Sequence, residues 1–137
     1  MRMIDPLLME LDRECSSTRK LLARVPDDKL SWAPHAKSMT LGKLAWHLAV
    51  LPGWIGASAL GDGWDFASGA QPPAPATAAE ILAAFDANVA SAKVNLAQLD
   101  DEKAFGLWTL SSSGKEIFSM PRIALVRSIL LNHSIHH

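Results

Sequence analysis

Apolar residues recur at steps of three and four in four stretches of the chain, and each stretch predicts an amphipathic helix. In the first, Leu7, Leu11, Cys15, Thr18, Leu22 and Val25 form one stripe. Asp5-Pro6 ahead of it supplies an N-cap acceptor and a proline at the first helical position. The spacing predicts a helix over about 6–25, ended by Pro26-Asp27-Asp28 and followed by a loop that carries Trp32 and Pro34 and runs to Met39. Thr40 caps a second helix from 41 to about 60, with Leu44, His47, Leu48, Leu51, Ile55 and Ser58 along one side and Pro52 expected to kink it. Thr77-Ala78-Ala79-Glu80 is a capping box for a third, whose stripe of Ile81, Phe85, Val89, Ala92, Leu96 and Leu99 ends near Asp100. Pro121 opens a fourth, in which Ala124, Val126, Leu130, His133 and His137 share a face.

Two segments break this pattern. Residues 61–76 are rich in Gly, Pro, Ala and Ser and read as a linker, which at sixteen residues spans ~50 Å if extended. Phe105-Gly-Leu-Trp-Thr-Leu110 and Glu116-Ile-Phe-Ser-Met120 flank Ser111-Ser-Ser-Gly-Lys115, the pattern of a short hairpin. Four amphipathic helices with two long connections describe an all-α four-helix bundle in which at least one neighbouring pair runs parallel. Bundles of this kind build metal sites from inward side chains on facing helices.

Composition narrows the possible partners. With 137 residues and 49% hydrophobic content, the chain is expected to form one domain over 1–137. Thirteen basic and fourteen acidic residues are scattered and leave a net charge of -1, so no footprint for nucleic acid or an anionic membrane is visible. Lys43, His47, Pro52 and Asn88 break the apolar runs before they reach the ~18 residues of a membrane span. Met1–Met9 lacks the basic and apolar regions of a signal peptide, and the lone Cys15 cannot form an internal disulfide. A cytoplasmic location is the expectation.

The histidines carry the candidate chemistry. His133 and His137 stand four apart at the end of the last predicted helix, so both can face one ion. His47 lies in an apolar run on the second helix, and three neutral imidazoles would leave a coordination position open, as in catalytic zinc sites. His136 is about 100° around the helix from its neighbour and is expected to face away. His35 lies in a proline-containing loop and reads as solvated. Each histidine alone is better explained by ordinary packing or solvation, and it is their joint pattern that points to a metal. Cys15 falls on the apolar stripe of the first helix and reads as a small buried hydrophobe rather than a nucleophile. Trp46 and Trp54 on the second helix, with Trp32, Trp64 and Trp108 in loops, read mainly as packing, though the loop tryptophans could line a pocket mouth over the metal. Ser111-Ser112-Ser113-Gly114 reads as a turn, not a catalytic serine.

Trp32-Ala-Pro34, Ser38-Met-Thr-Leu-Gly-Lys-Leu-Ala-Trp-His-Leu-Ala49, Trp108, Ile117-Phe-Ser-Met-Pro-Arg122 and Arg127-Ser-Ile-Leu-Leu-Asn-His-Ser-Ile-His-His137 together resemble the DinB/YfiT-like superfamily of metalloenzymes over nearly the whole chain. The resemblance implies an up-down-down-up four-helix bundle and a metal held by a second-helix histidine and an H-x-x-x-H pair on the fourth helix. In this sequence those residues are His47, His133 and His137. It also favours a native origin for the terminal histidines over a tag. Members of the family usually continue with Arg-Gly-Gln and a tail, whereas this sequence stops at His137. Orphan carbonyls and a carboxylate beside the ligand would then weaken metal binding.

Characterised branches of the superfamily are transferases and isomerases that use low-molecular-weight thiols. The resemblance therefore implies a divalent metal, zinc or nickel first, that activates a thiol or water toward an electrophile. Substrate would enter beneath the Trp64 linker and the 105–118 hairpin. A homodimer is expected from the family and the large apolar faces. The alternative is a non-catalytic bundle that binds metal or serves only as structure, because fold similarity does not transfer a reaction. Space beside an open metal position would favour the enzyme.

Overall fold

In the computed structural model of the protein, which describes residues 1–69 and 72–137, the chain is mainly helical with a small three-stranded sheet. Helix α1 spans Ile4–Leu22, α2 Leu41–Ser58 and α3 Ala78–Leu96, followed by the short α4, Asp101–Phe105. Strands β1 (Gly63–Asp65), β2 (Leu107–Ser112) and β3 (Lys115–Pro121) form the sheet in that order. The chain ends with α5 (Arg122–Leu125), a π-helical stretch Val126–Asn132, and α6 (His133–His136). Single 3-10 turns occupy Asp27–Lys29 and Phe66–Ser68.

Local chemistry sets most of these boundaries. The Thr40 hydroxyl accepts from the Lys43 amide and the Thr77 hydroxyl from the Glu80 amide, so both threonine caps are made, while the return bond of the capping box, from the Thr77 amide to the Glu80 carboxylate, is absent among the described residues. Helix α1 departs from expectation at both ends. It begins at Ile4, before Pro6, and ends at Leu22 rather than 25. Asp5 is not the N-cap. Its carboxylate accepts from the Arg2 amide and guanidinium, and Pro6 is tolerated in the first turn because amides there have no intrahelical partner. Helix α2 continues past Pro52 to Ser58. Helix α3 stops at Leu96, and the Asp100 carboxylate then caps α4 by accepting from the Lys103 amide.

The all-α expectation is corrected by the sheet. Strands β2 and β3 are the expected hairpin, antiparallel, closed by Ser113 and Gly114 at φ 51° and 79°. The expected linker contributes a strand that composition did not suggest: β1 pairs in parallel with β2, Trp64 opposite Leu110. The Asp65 carboxylate fastens it by accepting from the amides of Ala67, Ser113 and Gly114. The middle of that linker, Ala70 and Gln71, lies outside the described residues.

Two apolar clusters make the core. The larger joins Ile4, Leu11, Leu51, Ile55, Leu96, Trp108 and the last helical segment through Leu125, Val126, Leu130 and Leu131. The smaller joins Leu22, Ala45, Ala49, Ile81 and Phe85. Helices α2 and α3 approach closely: a Cβ on Gly56 would stand 2.7 Å from the Ala92 Cα. No described helix is long and apolar enough to cross a membrane.

Candidate metal centre

His47 is placed by the first turns of α2, which Thr40 caps and Ala45, Leu48, Ala49 and Leu51 bury. His133 and His137 stand at the end of the last helical segment, one α-helical turn apart, with the His137 amide donating to the His133 carbonyl at 3.1 Å. The fold brings the three rings together. The Nε2 of His133 lies 2.9 Å from the Nε2 of His47 and 2.9 Å from the Nε2 of His137, and one ligand atom from each residue falls within 4.8 Å of the others. Ring centroids are 4.7–5.0 Å apart. His47 and His133 are half-buried and His137 is exposed, so the cluster opens outward.

The electrostatics favour neutral imidazoles. Burial lowers the pKa of His47 from its ordinary 6.5, and repulsion from His137 and His133 lowers it further. Burial followed by repulsion from His137 and His136 lowers that of His133, and burial followed by His136 that of His137. Neutral imidazole is the ligating form.

The donor set fits a divalent ion. A neutral Nε2 carries either one proton or one lone pair, so that of His133 cannot satisfy two 2.9 Å neighbours with two well-directed hydrogen bonds, whereas a cation at the centre would satisfy all three. Zinc–nitrogen bonds of ~2.0–2.1 Å at tetrahedral angles put ligand nitrogens roughly 3.3 Å apart, close to the two short separations here. Among the described residues no Asp or Glu carboxylate joins the cluster, and none of the three Nδ1 atoms has a hydrogen-bond partner.

The other candidates fall elsewhere. The exposed His136 packs edge-on against His137 and stays outside the cluster. His35 accepts from the Lys37 amide in an exposed turn. Cys15 is half-buried between the two core clusters, and desolvation pushes its thiol up to about 11, the state of an inert packing residue. Trp108, expected in a loop at a pocket mouth, is instead fully buried on β2 with its indole N–H donating to the Ser58 carbonyl. Trp64, also expected in a loop, lies on β1 with its ring edge-on to Trp54 at 6.0 Å. The Trp46 indole donates to the Pro72 carbonyl and holds the connection at that residue against α2.

Arg122 escaped the sequence reading. Its buried guanidinium donates to the carbonyls of Ala59, Gly61 and Leu107 and to the Asp62 carboxylate, joining the end of α2 to the root of the hairpin. The available signal was a charged residue on the same helical face as Val126.

The family model of the DinB superfamily matches residues 10–137. The chain belongs to the DinB superfamily. The crystal structure of a DinB-like protein from Bacillus cereus ATCC 10987 has a similar fold, with a TM-score of 0.74 and 23% identity over 98% of this chain and 85% of that one. No curated protein matches this DinB superfamily member.

Proposed function

We propose that this DinB superfamily protein is a divalent-metal-dependent enzyme in which His47, His133 and His137 hold one zinc or nickel ion and leave a coordination position for a thiol or water. Transfer of a low-molecular-weight thiol to an electrophile is the reaction this arrangement serves best. The observation that carries the reading is the convergence of the three Nε2 atoms around His133. The ion would supply the Lewis acidity that keeps a thiol deprotonated at neutral pH. The three histidines hold their nitrogens in the neutral, ligating form and bring no negative charge, so the site as a whole prefers an anionic fourth partner. The exposed side of His137 gives that partner its way in. In this reading α1, α2, α3 and the last helical segment form an up-down-down-up four-helix bundle, two copies pair as a homodimer, and the protein works in the cytoplasm.

A second reading, a metal-binding or structural bundle that catalyses nothing, fits the same three-histidine geometry, because a shared fold does not transfer a reaction. Metal content by inductively coupled plasma mass spectrometry, followed by thiol-transfer assays on loaded protein, separates the two. About one equivalent in the native chain, lost in a His47→Ala/His133→Ala variant, is expected from the site stoichiometry. Unchanged metal in that variant overturns the three-histidine site, and bound metal without thiol binding at the ion supports the second reading.

A further inference from the structure

The stretch that leads into His133 is π-helical over Val126–Asn132, between two α-helical ends. An α-helix advances about 100° per residue, and a π-helical stretch closing i to i+5 absorbs roughly one extra residue, so that everything beyond it lags by about 100°. Burial along the segment records this lag. In an unbroken α-helix starting at the buried Arg122, Leu131 would stand about 180° away on the solvent side and Asn132 about 80° away, beside the core. The structure shows the reverse: Leu131 is 1% exposed and Asn132 is exposed. Moving every residue after Leu130 back by one position restores the pattern, with Leu131 on the core side and Asn132 facing out.

We infer that the π-helical stretch is the positioning element of the histidine cluster: the one-residue lag it introduces turns His133 and His137 onto His47. The start of the segment cannot rotate to compensate, because Arg122 is fixed to the carbonyls of Ala59 and Gly61 at the end of α2, the helix that carries His47. Closed as an ordinary α-helix of the same length, the segment would swing both imidazoles about 100° around its axis, a displacement on the order of 10 Å at their nitrogens. That is far beyond the 2.9 Å contacts seen here. The inference rests on the proposed metal site for its functional meaning and on the ring contacts for its geometry.

Two variants test it. Deleting the exposed Ser128 removes the extra residue, so the segment can close as an α-helix with both ends in their present phase. This variant should bind cobalt(II) as tightly as the native chain, with the same visible spectrum, and keep ring-to-ring nuclear Overhauser contacts between His47 and His133. The Asn132→His/His133→Asn/His137→Asn variant moves the pair one position back, to 132 and 136, where the π-helical phase points it into solvent. Its cobalt affinity should fall roughly 100-fold or more, beyond the cost of losing an outer-shell partner. A folded Ser128 deletion that loses the His47–His133 contacts, or a relocated pair that binds as the native pair does, overturns the inference. A native chain that binds no metal sinks the proposed function instead, and the ring contacts in the deletion variant still decide the role of the π-helical stretch.

Discussion

At the scale of single residues, the three imidazoles couple stability to pH. Their folded-state pKa values lie below the ordinary 6.5, each chiefly through burial. Above 6.5 they are neutral in the folded and the unfolded chain, and no stability depends on pH through them. As pH falls below 6.5, the unfolded chain takes up protons first, and stability drops until the folded-state pKa values are passed. The melting temperature of metal-free protein should therefore fall between pH 7 and pH 5, and a His47→Asn/His133→Asn variant should show a flatter profile by differential scanning fluorimetry. Bound metal should steepen the loss, since protonated imidazole cannot ligate and the ion leaves. An identical slope in both proteins would mean that other groups govern the acid limb. The i, i+4 spacing of His133 and His137 was legible in the sequence because it is local. The meeting with His47 came from the family resemblance alone, since helical periodicity gives a direction around an axis but no height along a neighbouring one.

At the scale of elements, legibility followed the range of the interactions. Caps at Thr40 and Thr77 and the stripe of α3 as far as Leu96 depend on neighbours within a turn or two, and they stand where the sequence put them. The hairpin was readable from its flanks and its Ser-Gly turn. Strand β1 was not, because three residues in a Gly-rich connection have no period and its pairing partner lies 46 residues away, as with Gly63 and Thr109. The π-helical stretch was hidden for a different reason: Val126, Leu130 and His133 fit one α-helical face, and the misfit of Leu131 and Asn132 shows only against the packing. The Asp65 carboxylate is what joins β1 to the hairpin tip, and its pKa is held below 3.8 first by the Ala67 amide and then by the Gly114 amide. That support is present above 3.8 and is lost as pH falls through the lowered value. The amide resonances of Ala67, Ser113 and Gly114 should titrate together below pH 3.8, and an Asp65→Ala variant should abolish the titration and speed hydrogen exchange at Ser113 and Gly114. Independent titration of the three amides would show that Asp65 does not link them.

At the scale of the whole molecule, one guanidinium ties together parts that the sequence separates widely. Arg122 is 7% exposed and bonds to Ala59 and Gly61 beyond α2, to Leu107 at the start of β2, and to Asp62 ahead of β1. Asp62 itself is solvated, so the interaction is not a fully buried ion pair. What Arg122 mainly supplies is donors to backbone carbonyls that would otherwise be left without partners next to the core. An Arg122→Met change keeps most of the apolar stem and removes all of these donors, and the loss should be about 3 kcal/mol, from hydrogen bonds to a charged group at ~1.5–3 kcal/mol less the recovery by water. Arg122→Lys keeps the charge but not the fork that reaches several acceptors, and it should recover less than half of that loss. Because the same guanidinium holds the start of the last helical segment against α2, Arg122→Met should also weaken cobalt(II) binding at the three histidines without touching them. Urea titration measures the first effect and the cobalt spectrum the second. A destabilised protein that still binds the ion with native affinity would show that the histidine cluster is held by local packing around α6 and the π-helical stretch, and that the Arg122 anchor contributes to the fold alone.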